Sequence, residues 1–177
     1  MSTPRSFRPF IACVIAAGLL APLPVLAAHH GDVRHERTTL GEWRLDIARD
    51  HFSGEIACRL AARDHHAIYR AQAVAFRFGN LKDVVNAVYR IDAGPPRASR
   101  DDLPTLLAAG VPLDRGAMDN ARAGMVWVPF ETLRQANAIS IQPRPDRRAI
   151  TVHFRGLIAL HDIAVERGCS PESSFVE

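Results

Sequence analysis

The chain has 177 residues, 22 of them basic and 19 acidic, with 47% hydrophobic and 23% charged residues. That balance belongs to a packed globular chain and excludes a wholly disordered or fibrous one. Its 11 glycines and 12 prolines follow no period, which excludes collagen and low-complexity linkers.

Residues 1–27 have the build of a secretory signal peptide. Arg5 and Arg8 give a positive start with no acid, Phe10 to Leu20 is an unbroken apolar or small run, and Pro22 and Pro24 break it. Val25-Leu26-Ala27 then supplies small residues at a peptidase site. Cleavage is expected after Ala27, with Ala28 as the alternative. The apolar run is shorter than the roughly 20 residues a spanning helix needs, so no membrane span is expected after processing. Cys13 lies inside that run rather than behind it, which argues against lipidation. Once the leader has left, 20 bases face 19 acids. Their signs interleave, so no clustered footprint for nucleic acid remains. Lys82 is the single lysine, an arginine bias that points to a GC-rich bacterial genome. The expected location is the periplasm or the exterior.

Cys58 and Cys169 survive processing. In an oxidising compartment their default is one disulfide. It would close a loop of about 110 residues, worth at most roughly 4–5 kcal/mol in chain-entropy terms. No C-x-x-C spacing supports a redox role.

Residues 28–39 are polar and predict a flexible or loosely attached arm; residues 40–177 form a single β-rich domain. Trp43, Leu45 and Ile47 alternate with Arg44, Asp46 and Ala48, the period of a half-buried strand. A turn follows at Asp50 to Gly54. Glu55 to Arg63 alternates again, with Ile56, Cys58 and Leu60 inward. Asp64-His65-His66 is a turn. Ala67 to Phe78 predicts one long strand, with Ile68, Val74, Phe76 and Phe78 on one face. Val84 to Asp92 is a further strand, closed by Gly94-Pro95-Pro96. Asp101 or Asp102 caps a short helix that carries Pro104 in its first turn and ends before Gly110. Residues 112–123 continue as loop.

The segment MVWVPF at 125–130 predicts a core strand, with a groove-lining role as the alternative. Phe130 to Asn137 predicts a helix of about two turns. Ala138 to Gln142 and Arg148 to Phe154 are strands, the second turning Ile150, Val152 and Phe154 inward. Leu157 to Arg167 is the clearest helix, with Leu157, Leu160, Ile163 and Ala164 on one face. Gly168 is its left-handed cap. About seven strands and short helices predict a mainly β fold: an antiparallel sandwich or partial barrel, with the C-terminal helix packed on the sheet.

Histidines supply the one metal candidate. Cleavage after Ala27 exposes Ala28-His29-His30, whose free amine, two amides and third-position imidazole form a square-planar set suited to Cu(II) or Ni(II). Cleavage after Ala28 exposes His29, whose amine and imidazole chelate copper together. The plain alternative is a soluble flank. His65 and His66 are adjacent and point to opposite faces of a strand, so they form no shared site. His161 and Glu166 are five apart, not the four that places two ligands on one helix face.

No G-x-S-x-G elbow and no glycine-rich phosphate cradle is present. No catalytic residue is assigned, and the chain is not read as an enzyme.

The run Val152-His153-Phe154-Arg155-Gly156-Leu157-Ile158-Ala159-Leu160 resembles the invasion-associated locus B family of bacterial periplasmic proteins, which typically end in a strand, a glycine turn and a short Ala/Leu helix. Gly41-Glu42-Trp43 and Cys58 match that family's early tryptophan strand and downstream cysteine. Leu157 stands where an aromatic is usual, and Gly168-Cys169 lies outside the pattern. The resemblance implies an exported β-rich protein with no catalytic residues.

The expected function is that of an exported, non-enzymatic module that binds a protein or envelope component. Two alternatives stand beside it. One is periplasmic copper or nickel binding through Ala28, His29 and His30. The other is an inhibitor or immunity protein against an envelope-degrading toxin.

Overall fold

The computed structural model describes residues 33–64, 66–79, 81, 84–111, 124–170 and 175. The predicted leader, the terminal site at Ala28, His29 and His30, and the loop at 112–123 lie outside them.

Ten strands form two antiparallel sheets among the described residues. The larger sheet takes β1 (Val33–Leu40), β2 (Trp43–Asp50), β3 (Ile56–Ala62), β4 (Ala67–Arg70), β5 (Ala73–Arg77) and β8 (Met125–Pro129), in that spatial order. The smaller takes β10 (Ile150–His153), β9 (Ala138–Gln142), β6 (Val88–Ile91) and β7 (Arg97–Ala98). The order is open at β1 and β8, so the architecture is a sandwich rather than a barrel. Among the described residues three α-helices accompany the sheets: α1 (Leu103–Ala108), α2 (Phe130–Leu133) and α3 (Leu157–Glu166). No helix among the described residues is long and apolar enough to cross a membrane.

Alternation decides which face is buried. Trp43, Leu45, Cys58, Leu60, Tyr69, Val74 and Phe76 point inward from the large sheet and meet Tyr89, Ile139, Ile141 and Val152 of the small one. α3 packs its Leu157, Leu160 and Ala164 into the same core, lying on β1, β2 and β3. Such leucines and aromatics each contribute roughly 1.5–3 kcal/mol by leaving water. Trp43 also satisfies its indole, which donates to the His153 carbonyl oxygen at 2.9 Å.

The Cys58–Cys169 disulfide forms, with Cα atoms 6.1 Å apart. Gly168 takes φ +90, as a left-handed helix cap requires. Cys169 therefore follows α3 directly onto β3. Phe175 then bridges to Cys58 as a short parallel pair.

Several sequence expectations change. Ile150, expected inward with Val152 and Phe154, is 36% exposed at the start of β10. The arm predicted at 28–39 includes most of β1, an edge strand paired along all of β2. Its polar composition fits an edge with both faces largely exposed. The strand predicted over Ala67 to Phe78 is two strands, folded back at Ala71 and Gln72. Both take positive φ, 47° and 59°, as a tight two-residue hairpin demands. Ala-Gln carries none of the usual Asn-Gly signature, so no turn was legible. The hairpin also flips parity: Tyr69 pairs Val74 and Ile68 pairs Ala75. Ile68 thus leaves the face expected for it.

Val84–Asn86 forms a 3-10 turn that buries Val84, and only Val88–Ile91 is strand. The helix predicted from Phe130 to Asn137 stops at Leu133. One turn already buries Phe130 and Leu133. The Asn137 and Ala138 amides donate instead to the Asp92 carboxylate.

Candidate binding face

The large sheet has a second face, turned away from the core. Register places Ala61 beside Ile68, Ile68 beside Ala75 and Ala75 beside Trp127. These four form one row across β3, β4, β5 and β8. Two are alanines, so the row is a shallow apolar floor. α1 closes its far end, where Leu106 packs with Ala73, Ala75 and Trp127 in a second small core.

Cations border this floor. Arg59 and Arg70 flank it on one side, His66 and Arg77 on the other. Together with Met125 and Ala67 they enclose a groove of about 350 Å³, with no acid among its described lining residues. Farther along the same face, Arg37 and Arg44 both engage Asp46, the latter at 2.9 Å. The other outward acid, Asp50, turns into its own loop and accepts from the Phe52 and Ser53 amides. Those amide bonds hold its carboxyl below the usual carboxylate range.

Two donors at the groove are unsatisfied. Arg59 Nε and Trp127 Nε1 are shielded from water and have no hydrogen-bond partner among the described residues. Trp127 is 6% exposed. A buried donor left this way costs about 1–3 kcal/mol.

The core-strand reading of residues 125–130 holds, and the other side of the same strand borders the groove. Val126, Val128 and Phe130 enter the main core, while Trp127 and Met125 line the groove. Strand alternation supplies both from one segment. What the sequence hid was the assembly of Arg59, Arg70 and Arg77 from three strands. His66 was legible as a turn residue, but its place at the groove was not.

Other polar groups are tied into the frame. Asp102 occupies the predicted N-cap position of α1, yet its side chain makes no cap bond. It turns inward, 4% exposed, and accepts from the Tyr89 hydroxyl at 2.5 Å, with Arg97 at 3.5 Å. Burial raises its carboxyl above the usual range, against the pull of Tyr89 and Arg97. His161, which the sequence spacing gave no metal partner, is 8% exposed, between Tyr69 and Phe130. Burial holds its imidazole below the ordinary histidine value. Tyr69, its partner, is pushed up to about 12, chiefly by burial. Both polar groups fill volume in an aromatic cluster, which helical spacing alone does not reveal.

Among the described residues, no three His, Cys, Asp or Glu side chains gather as a metal site. No family model, no curated protein and no solved structure matches this chain.

Proposed function

We propose that this chain is an exported, non-enzymatic binding module that captures an anionic envelope component on the outer face of its large sheet. The observation that carries the reading is the groove bordered by Arg59, Arg70 and Arg77 with no acid among its described lining residues. Arginine suits this role because its planar, always-charged fork binds carboxylate and phosphate oxygens in pairs. Export is supported by the leader pattern of residues 1–27 and by the Cys58–Cys169 bond, which an oxidising compartment favours. The non-enzymatic part rests on the sequence, where no catalytic motif is found.

The test is retention on a sulfated dextran matrix eluted with salt. Arg59→Glu/Arg77→Glu elutes at clearly lower salt than the parent, because contacts to a polyanion release counterions. Arg144→Glu/Arg147→Glu carries the same charge change on the β9–β10 turn and elutes well after the groove variant. Co-elution of the two variants overturns the reading.

The copper or nickel reading stays attached to Ala28, His29 and His30. Intact mass of the exported protein, with and without Cu(II), tests it. One retained copper that is lost in His30→Ala or His29→Ala supports it, and an exported chain that takes up no metal ends it.

A further inference from the structure

We infer that the groove holds one elongated amphipathic carboxylate, its apolar body across the strands and its acid head among the arginines. This rests on the anion-binding reading above and names the ligand class.

Shape sets the length and the volume. Ala61, Ile68, Ala75 and Trp127 are successive cross-strand neighbours. Three inter-strand steps of about 4.8 Å give a floor roughly 14 Å long. A volume of about 350 Å³ lies at the small end of the range for small-molecule sites. It suits an alkyl or aryl chain and is too small for a folded partner.

Chemistry sets the polarity. The floor has only apolar side chains except for one indole N–H, so it offers nothing to a polyhydroxylated body. The cations lie at the flanks, where Arg59 and Arg70 stand on β3 and β4 and Arg77 on β5. A monoanionic head therefore sits at the β3–β4 end of the groove, with the chain running across β5 toward Trp127 and Arg77 adding its charge from the flank. Arg59 Nε at one end and Trp127 Nε1 at the other lack acceptors among the described residues. Trp127, 6% exposed, forms the apolar end wall.

Trp127 also reports the event. The chain has two tryptophans, and Trp43 is fully buried in the main core, with its indole bonded to His153. Ligand-induced emission changes therefore come from Trp127, with Trp127→Phe as the control.

The experiment titrates the oxidised protein with dodecanoate, dodecanol and acetate below micellar concentrations, following tryptophan emission. Dodecanoate binds at least tenfold more tightly than either the neutral chain or the bare head. Arg59→Gln and Arg77→Gln each weaken dodecanoate several-fold and leave dodecanol unchanged. Ala75→Met fills the floor and abolishes the response, and Ile68→Trp repeats that block from β4 should Ala75→Met fail to fold. Equal binding of dodecanoate and dodecanol, or full dodecanoate binding in a folded floor-filled variant, overturns the inference. If sulfated dextran still separates the arginine variants while dodecanoate fails to bind, the carboxylate inference falls and the anionic face stands. If neither anion binds, both fall.

Discussion

Tyr69 and His161, 92 positions apart in the chain, meet with Oη and Nε2 at 3.2 Å. The bond joins β4 to α3 inside a ring of aromatics, with Phe130 and Phe175 edge-on to Tyr69 at 4.9 and 4.7 Å. The tautomer with its proton on Nδ1, toward Asp162, leaves Nε2 to accept from the tyrosine hydroxyl.

A pH dependence follows from this burial. His161 titrates below 6.5 in the fold, because desolvation and Arg134 outweigh Asp162 and Glu131. The unfolded chain titrates near 6.5. Between the two values the unfolded state binds the proton and the folded state does not. Its contribution is therefore complete above pH 6.5 and declines as pH falls below it. Thermal melting at pH 7.5 and pH 5 should show that decline in the parent. His161→Gln, which keeps an acceptor for Tyr69, should show less of it. An unchanged slope in the variant contradicts the assignment.

Tyr89 and Asp102 make a second buried pair, and its sign is opposite. The Asp102 carboxyl titrates above the usual 3.8, so its charge is held in the fold at a cost once pH rises past that shifted value. Tyr89→Phe removes the 2.5 Å donor and leaves Arg97 at 3.5 Å. The expected loss is about 1–3 kcal/mol near neutral pH, smaller near pH 4. Urea unfolding at the two pH values measures the difference, and equal losses at both would falsify it.

Gly156 is required where Gly110 is merely convenient. Gly156 has φ +98, and a Cβ there meets the Leu40 carbonyl oxygen at 2.1 Å. Gly41 makes the reciprocal approach: a Cβ there meets the Arg155 carbonyl oxygen at 2.3 Å. The β1–β2 turn is thus pressed against the entry to α3. Gly110 has φ +70 with nothing within 4 Å. Gly156→Ala is expected to cost more than roughly 3 kcal/mol. Gly110→Ala should cost about 1–2 kcal/mol, the left-handed penalty alone. Denaturant midpoints of the two variants rank them.

The disulfide spans 111 residues of sequence. Replacing both cysteines by serine should lower stability by up to roughly 4–5 kcal/mol, as the unfolded chain regains its freedom. Cys58 also pairs with Phe175, so the last residues lose an anchor. Faster hydrogen exchange at Phe175 than in the β9–β10 ladder, on reduction, is the local signature. Uniform exchange across both places the effect elsewhere.

By itself the sequence determined the inward side of most strands, since period-two patterning such as Trp43-Leu45-Ile47 has one stable reading against a core. It also determined α3 with its Gly168 cap, and the pairing of Cys58 with Cys169. These signals are local, or leave a single partner to choose. Only the tertiary structure decided the rest. The Ala71-Gln72 hairpin forms because pairing of β4 with β5 holds two ordinary residues at positive φ. That turn reverses the parity of Ile68 and creates the outer apolar row. The groove draws Arg59, Arg70, Arg77 and Trp127 from four strands whose order is a property of the folded sheet. His161 and Asp102 are polar residues at ordinary surface positions of helices, and their burial depends on what packs over them. A single chain encodes such neighbours only through the free energy of the whole fold.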